Sequence, residues 1–169
     1  MRELKNIADE CITELKSMGI KCGKVRKWEI NNRAKCRLGQ CVRVSIGVFD
    51  ISIAGFLLED KTDILILKNT IIHELLHTVK GCFKHTGKWK LLAEMVNENY
   101  PQYNVKRTFD RPVIADIADI KEPTYRYILK CKNCGLEIKR QRKSKAVINY
   151  KNYRCGKCGG NLERIKKLG

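Results

Sequence analysis

The stretch His73-Glu74-Leu75-Leu76-His77, followed eight residues later by His85, constrains this chain more than any other part of its sequence. The apolar residues around the stretch predict a helix. Residues four apart lie on one face of a helix, so His73 and His77 can bind the same metal ion. Glu74 lies about 100° further round. We therefore expect Glu74 to reach a water molecule at that metal, and not to bind the metal itself.

Three imidazoles and one carboxylate are a suitable set for zinc-assisted hydrolysis. A catalytic zinc usually has three protein ligands and one open position. The chain offers His73, His77 and His85, which are all of its histidines. Glu74 would act as the general base, taking a proton from the attacking water and passing it to the leaving amine. The alternatives are two surface histidines on an ordinary helix and, for His85, a solvated loop histidine.

Other side chains near the motif receive supporting roles. Trp89 follows the third histidine by four residues, and we expect it to pack under the metal site. Glu94 is interpreted as a solvated helix residue or as a partner of a ligand. Cys82 lies between the second and third histidines and is interpreted as a packing residue. No oxyanion stabiliser is evident from the sequence, and Tyr100 and Tyr103 are the candidates.

Two Cys-x-x-Cys pairs form the second strong signal. They are Cys131 with Cys134 and Cys155 with Cys158, and glycine follows each pair. This spacing is typical of a structural zinc site with four thiolates, where glycine permits the tight turns. We predict a zinc ribbon whose folding depends on its metal, because so short a segment buries little apolar surface. Redox-active cysteine pairs are the alternative. The chain would then hold two zinc ions, one catalytic and one structural.

Positive charge is concentrated toward the C-terminus. The chain has 35 Lys and Arg against 18 Asp and Glu, a net charge of +17. By count, residues 124–169 hold 14 basic and 2 acidic side chains, whereas residues 1–123 hold 21 and 16. This excess favours a polyanionic partner, nucleic acid first. The basic residues predicted to bind it, with a solvated loop as the alternative, are Lys139, Arg140, Arg142, Lys143 and Lys145. Tyrosines that could stack on unpaired bases, or pack in the ribbon core, are Tyr125, Tyr127, Tyr150 and Tyr153.

The sequence also bears on the compartment. It contains no run of about 18 apolar residues that could span a membrane. Its N-terminus is charged and has no signal-peptide core. Nine cysteines in such a chain favour metal ligands and free thiols over a disulfide framework. We therefore expect a cytoplasmic protein, associated with the nucleoid if it comes from a prokaryote, with no membrane partner.

Hydrophobic periodicity predicts an α+β chain. We expect one helix over residues 2–18, two or three antiparallel strands between residues 25 and 54, a motif helix from about residue 61 to Lys80, and a further helix from Thr86 to just before Tyr100. Cys36 and Cys41, in the strand region, are interpreted as small packing residues.

Pro123 is the predicted domain boundary. Residues 1–123 would form one domain and residues 124–169 the ribbon, with Val113–Ile120 as a strand or a short helix lying against the first domain.

Taken together, these motifs resemble the SprT-like family of zinc metalloproteases, which includes Spartan. The residues that carry the resemblance are the His73–His77 motif, His85, Trp89 and the four ribbon cysteines. The resemblance implies a small zincin-like domain, with helices packed on a short antiparallel sheet, followed by the ribbon. It implies that the three histidines bind zinc and that Glu74 is the catalytic base. It also implies action on DNA-bound protein, typically protein crosslinked to DNA, with DNA switching on cleavage.

Three functions are consistent with the sequence. The first is a zinc endopeptidase that acts on DNA-associated or DNA-crosslinked proteins and is recruited or activated by DNA. The second is a non-proteolytic nucleic-acid-binding protein with a structural histidine site. The third, a hydrolase of another small substrate, is disfavoured by the basic surface. Glu74 favours the first over the second, because a structural zinc site has no use for it. DNA and RNA, and single and double strands, stay open.

Overall fold

The computed structural model of the chain describes residues 1–34, 37–109 and 124–165. The chain forms two compact units, Met1–Ile120 and Lys121–Gly169, which we call the N-terminal and C-terminal units. The predictions that fall outside the described residues are the boundary at Pro123, the element over 113–120 and the role of Cys36. None of the helices in the described ranges has the length and hydrophobicity that crossing a bilayer requires.

The N-terminal unit begins with helix α1, Leu4–Ser17. Its apolar residues recur at helical spacing and are buried against the rest of the unit: Leu4, Ile7, Ala8, Cys11 and Leu15. Gly19 follows with a φ of 75° and donates its N–H to the carbonyl of Lys16, so the helix ends with a left-handed glycine.

A three-stranded sheet follows, made of β1 (Lys24–Asn31), β2 (Gly39–Ser45) and β3 (Val48–Ala54). The strand order is β1-β3-β2, with β2 antiparallel and β1 parallel to β3. The prediction of a purely antiparallel sheet was therefore wrong. Consecutive strands do run in opposite directions, but β3 inserts between the first two and so lies parallel to β1. The reason is burial: the inward side chains of β3 are the most buried of the sheet, which suits the central position.

Helix α2, Ile64–Thr78, carries the histidine motif through the centre of the unit. A short 3-10 helix, Gly55–Leu58, precedes α2. The Asp63 carboxylate caps the N-terminus of α2 by accepting the N–H of Leu65 at 2.8 Å. From Leu67 onward nearly every residue of α2 is buried. The helix ends two residues before the predicted Lys80, because Val79 is already extended and begins the turn that leads to His85.

Helix α3, Lys88–Asn99, completes the N-terminal unit and packs against α2. The residues after α3 run back along α2, and side-chain hydrogen bonds and an ion pair connect the helices of the unit. The Tyr103 hydroxyl donates to the Glu14 carboxylate of α1 at 2.7 Å, and Lys68 of α2 pairs with Glu10 of α1 at 2.9 Å. Helices on one side and a small sheet on the other make this a mixed α+β unit with α2 between them.

The C-terminal unit is a small antiparallel sheet of β4 (Tyr127–Cys131), β5 (Glu137–Arg140) and β6 (Leu162–Ile165), in the order β5-β4-β6. A single-turn helix α4, Lys145–Ile148, and a 3-10 turn, Tyr150–Asn152, lie between β5 and β6. Its buried cluster is small and consists of Leu129, Cys131, Cys155 and Leu162. So little buried apolar surface contributes only a small part of the free energy of folding of this unit, and another interaction has to supply the rest.

Candidate functional site

Three imidazoles meet at one point of the N-terminal unit. His73 and His77 project from α2, and His85 comes from the loop that precedes α3. The Nε2 atoms are 3.3 Å apart for His73 and His77, 3.0 Å for His77 and His85, and 2.8 Å for His85 and His73. Two nitrogens bound tetrahedrally to one zinc ion are about 3.3 Å apart. The three histidines are therefore a candidate metal-binding group whose size is consistent with zinc.

Two of these imidazoles are oriented by backbone carbonyls. The Nδ1 of His73 lies 3.0 Å from the carbonyl oxygen of Lys106, and the Nδ1 of His77 lies 3.0 Å from that of Cys82. A carbonyl can only accept, so each Nδ1 carries the proton and each Nε2 offers its lone pair. Burial, helped by the neighbouring imidazoles, lowers the pKa of His73 to about 4, and burial also lowers the pKa of His77 and of His85. All three are thus neutral at pH 7, which is the ligand state.

Trp89 forms the wall behind the histidines. Only 1% of its surface is exposed. Its ring centroid lies 4.9 Å from that of His73, 5.7 Å from that of His77 and 4.7 Å from that of His85. Substantial movement of any imidazole would have to displace this buried indole. Glu94, in contrast, is exposed on α3.

Two asparagines that no sequence motif indicates hold the loop segment behind His73. Asn97 accepts the N–H of Val105 at 2.7 Å and donates to the carbonyl of the same residue at 3.1 Å. Asn69 of α2 accepts the N–H of Asn104 at 2.9 Å. These bonds fix the residues just before Lys106, whose carbonyl orients His73. The asparagines therefore position a ligand without touching it.

We expect Asn97→Ala to weaken zinc binding about tenfold, because loss of an outer partner typically costs 10- to 100-fold in affinity. The measurement is a competition titration with a chromophoric chelator. Asn99→Ala is the matched control, since the exposed Asn99 side chain on the same helix donates to the Met95 carbonyl. Equal zinc affinity for the two variants would contradict the positioning role.

Glu74 lies beside the histidines on α2 but faces strand β2. The residue is 6% exposed. Its carboxylate receives the backbone N–H of Cys41, and the positive charge of Arg37 acts on it from further away. Burial outweighs both effects and raises the pKa of Glu74 to about 7. A carboxyl group with that proton affinity can take up and release a proton near neutral pH.

Gly39 makes room for this carboxylate. A Cβ atom at Gly39 would lie 2.7 Å from both the Cγ and the Oε1 of Glu74, which is closer than any real contact. A side chain at position 39 would therefore have to displace the Glu74 carboxylate. Neither Gly39 nor the Cys41 N–H carries a sequence signal, because one acts by lacking a side chain and the other through the backbone.

On the sequence-based expectation of a zinc endopeptidase, we predict that Gly39→Ala will lower peptide cleavage ten- to a hundredfold while zinc content and folding are retained, because the methyl group displaces Glu74 by a fraction of an ångström or more. The measurement is the cleavage rate of the zinc-loaded protein, with metal content determined in parallel. Gly156→Ala serves as control, since a Cβ there meets nothing within 4 Å. An unchanged rate for Gly39→Ala would mean that the position of Glu74 does not limit the reaction.

The four cysteines of the C-terminal unit form the second candidate metal-binding group. The Sγ atoms of Cys131 and Cys158 are 3.5 Å apart, and those of Cys134 and Cys155 are 3.6 Å apart. Thiolates on one tetrahedral zinc are about 3.8 Å apart, so the group is consistent with zinc. Backbone N–H groups lower the pKa of Cys131 and of Cys155, which favours the thiolate form that binds metal. For Cys134 the effect of the Leu136 N–H is outweighed by the neighbouring cysteines, which raise its pKa to about 12.

Glycines shape this cluster. Gly135 and Gly159, one after each Cys-x-x-Cys pair, have φ values of 71° and 70°. Gly160 is required for a different reason: a Cβ there would lie 3.0 Å from the Cys131 sulfur and 2.7 Å from the Cβ of Asn133. The sequence predicted the first two from the turn, and the role of the third is apparent only from the packing.

The predicted nucleic-acid-binding residues all lie on the surface of the C-terminal unit. Lys139 and Arg140 are on β5, Arg142 and Lys143 are in the following turn, and Lys145 begins α4; all five are exposed. Of the tyrosines, Tyr125 lies 5.9 Å from the Lys139 ammonium and Tyr127 lies 5.9 Å from the Arg164 guanidinium. Tyr150 packs against the small core, whereas Tyr153 is exposed.

The two candidate oxyanion stabilisers are engaged elsewhere. Besides the bond from Tyr103 to Glu14, the Tyr100 hydroxyl lies 3.2 Å from that of Ser17. Both hydroxyls thus bond to α1 and do not serve the histidine site. Cys82 is fully buried among apolar side chains, and its contribution to the site is its carbonyl.

The comparisons with known proteins agree with part of this description. Over 41 residues the chain is 49% identical to a protein named "Protein SprT-like" from Oceanobacillus iheyensis. That stretch is 24% of this chain and 25% of the relative, so the chain spans about a quarter of the length of the curated relative it matches. No family model matches the chain. No solved structure matches it either.

Proposed function

We propose that the chain is a zinc-dependent endopeptidase of the SprT-like, zincin-like type. It acts on proteins bound or crosslinked to DNA, and DNA recruits or activates it. The observation that carries the proposal is the pairing of three converging, neutral imidazoles with a buried carboxylate on the same helix. A purely structural histidine site needs no carboxylate at Glu74, and burying one costs free energy that a catalytic role would explain.

The roles of the residues follow from their surroundings. His73, His77 and His85 would hold the zinc ion, which supplies a Lewis acid at one open position. Glu74 takes the proton of the attacking water and delivers it to the leaving amine, and the Cys41 N–H keeps its carboxylate in place. Trp89 excludes water from behind the ligands, which strengthens the electrostatic interactions at the site.

The position of strand β2 is evidence that the substrate is an extended polypeptide. It is an edge strand of the sheet, and it runs past Glu74 with most of its residues exposed. The unpaired N–H and C=O groups of an edge strand can pair with an added strand. Recognition through the backbone reads few side chains, which suits an enzyme that acts on many different proteins held on DNA.

The C-terminal unit supports the nucleic-acid partner. Its 14 basic and 2 acidic residues, counted over 124–169, stay strongly positive even after a zinc ion with four thiolates lowers the total by about two charges. Exposed cations beside Tyr125 and Tyr127 are suited to phosphates and to unpaired bases. Tethering by this unit would raise the local concentration of protein substrates. None of the eight described cysteines forms a disulfide, which supports a reducing, cytoplasmic setting.

The test is a cleavage assay with purified protein loaded with two equivalents of zinc. A DNA-binding protein serves as substrate, with and without single-stranded DNA. We expect cleavage that requires zinc and increases with DNA, and that decreases when Lys139, Arg140 and Arg142 are replaced by Ala. Cleavage at the same rate with and without DNA would support the peptidase function and contradict activation through the C-terminal unit. Tight, salt-sensitive DNA binding without any cleavage would favour a non-proteolytic nucleic-acid-binding protein.

A further inference from the structure

A cavity of about 420 Å³ adjoins the histidine site on the side of His77. Three segments of the N-terminal unit enclose it: the loop between α1 and β1, the β2–β3 hairpin, and the turn after α2. Its floor is the buried ring of Phe49. Its lining includes three cations and three large apolar side chains: Lys21, Arg43, Lys80, Ile46, Phe49 and Phe83.

The walls of this cavity are held by the backbone. The N–H of Gly23 donates to the Thr78 hydroxyl at 3.0 Å, and that hydroxyl donates in turn to the Leu75 carbonyl at 2.6 Å. A Cβ at Gly23 would lie 2.5 Å from the Phe49 ring and 2.9 Å from the Thr78 carbonyl oxygen. The loop after α1 can therefore close onto α2 only with glycine here. The cavity is a built feature of the fold and not a gap between mobile side chains.

Large apolar side chains at the rim of the cavity face solvent. Ile46 at the tip of the hairpin is 89% exposed, and Phe83 is 53% exposed. The ring of Phe83 lies 6.3 Å from that of His77, so this apolar rim reaches the metal site itself. An isolated exposed apolar residue needs no explanation, but two at the mouth of a cavity next to a reactive site indicate a surface that a ligand covers.

The charges around the cavity have one sign. Lys21, Arg43 and Lys80 line it, and no Asp or Glu from the described part of the chain does. None of the three cations forms an ion pair with a residue in the described ranges. A ligand that places an apolar group on Phe49 would bring its flanking groups within reach of these cations. Carboxylates are favoured there, and lysine or arginine side chains are repelled.

Strand β2 connects the cavity to the site of cleavage. Cys41, whose N–H bonds Glu74, and Arg43, which lines the cavity, are two residues apart on this strand. Two residues of extended chain span about 7 Å. A polypeptide lying along the edge of β2 would thus insert into the cavity a side chain within about two residues of the bond that is cut.

We propose that this cavity selects the substrate sequence: it takes a large apolar side chain, phenylalanine or leucine in size, from a segment rich in Asp and Glu. The inference rests on the proposed peptidase function and adds the class of peptide that is cut. It has a consequence for DNA-bound substrates. Their basic DNA-contacting segments are repelled from the cavity, so cleavage falls in acidic, apolar segments that face away from the DNA.

The test measures binding separately from cleavage. Zinc-loaded Glu74→Gln protein is titrated with fluorescent peptides that carry a central Phe flanked by Glu, by Lys or by Ser, and the Kd is read by anisotropy. We expect the Glu-flanked peptide to bind at least tenfold more tightly than the Lys-flanked one. In the double variant Arg43→Glu, Lys80→Glu the order should reverse. Lys16→Glu, on the exposed face of α1, is the matched control and should keep the original order.

Two results separate the failure of this inference from that of the proposed function. If wild-type protein cuts proteins but the peptides bind equally, or the double variant shows no reversal, the cavity does not select the substrate and the peptidase stands. If the charge preference and its reversal are observed while wild-type protein cuts none of these peptides or proteins, the peptidase function is overturned and the cavity is a peptide-binding site. Cleavage sites in acidic, apolar segments, together with the reversal, would establish both.

Discussion

Glu74→Gln will abolish cleavage while leaving the protein folded and its zinc content unchanged. Glutamine has the same shape as glutamate, and its carbonyl oxygen can still accept the N–H of Cys41. It cannot accept the proton of the attacking water, and a general base contributes about 10²- to 10⁴-fold to the rate. Because Glu74 also has to return that proton to the leaving amine, we expect the rate to fall by about 10⁴-fold, to the limit of detection of an ordinary gel assay.

The measurement compares single-turnover cleavage and metal content for wild type, Glu74→Gln and Glu94→Gln. Glu94 is the matched control, because it is a glutamate exposed on the surface of α3. Cleavage by Glu74→Gln within about fivefold of wild type would refute the role of base. Loss of one zinc ion from this variant would instead show that the carboxylate supports the metal, in which case activity would be lost for a structural reason.

Removal of zinc will unfold the C-terminal unit and leave the helices of the N-terminal unit in place. Within residues 124–165 the buried cluster of this unit contains four residues, of which two are the candidate ligands Cys131 and Cys155. Binding of a structural zinc ion supplies about 10–16 kcal/mol at neutral pH, more than such a core can provide. The N-terminal unit has its own large cluster, with Leu57, Ile71 and Leu75 among its fully buried members, and does not depend on metal to the same extent.

Hydrogen exchange followed by mass spectrometry resolves the two units in one experiment. After treatment with a chelator, or in Cys155→Ser, we expect the amides of β4, β5 and β6 to exchange without protection, while those of α1 and α2 stay protected. Cys22→Ser is the control, because Cys22 is half-buried in the N-terminal unit and lies outside the cysteine cluster. Protection of β4 that survives complete zinc removal would show that the small core suffices.

The parts of the candidate site that can be predicted from sequence are those set by local geometry. Residues four apart on a helix share one face, so His73 and His77 are neighbours. The seven residues between His77 and His85 are enough to bring His85 back to them. The same holds for the two Cys-x-x-Cys pairs. What completes the histidine site comes from far along the chain: Gly39, the N–H of Cys41 and the carbonyl of Lys106. Two of these are backbone groups, and Gly39 acts by having no side chain. A sequence pattern of residue types therefore does not predict them.

The strand order illustrates the same limit in the fold. Alternating apolar residues predict the strands themselves, and the mixed α+β composition of the chain agrees with that prediction. Which strands are neighbours depends on how much surface each strand buries against α2 and the rest of the core. That quantity is a property of the assembled unit, and it puts β3 in the centre and β1 parallel to it.

The carbonyls of Lys106 and Cys82 also determine how this site can change over evolutionary time. Every amino acid contributes a carbonyl group, so no point substitution at either position deletes the hydrogen bond to His73 or His77. A deletion of one residue between His77 and His85 would, in contrast, move the Cys82 carbonyl and the third imidazole together. A replacement at Cys82 must in addition be a small apolar residue, because this side chain is fully buried. The site therefore depends on the length of this turn more than on the identity of the residue that supplies the carbonyl.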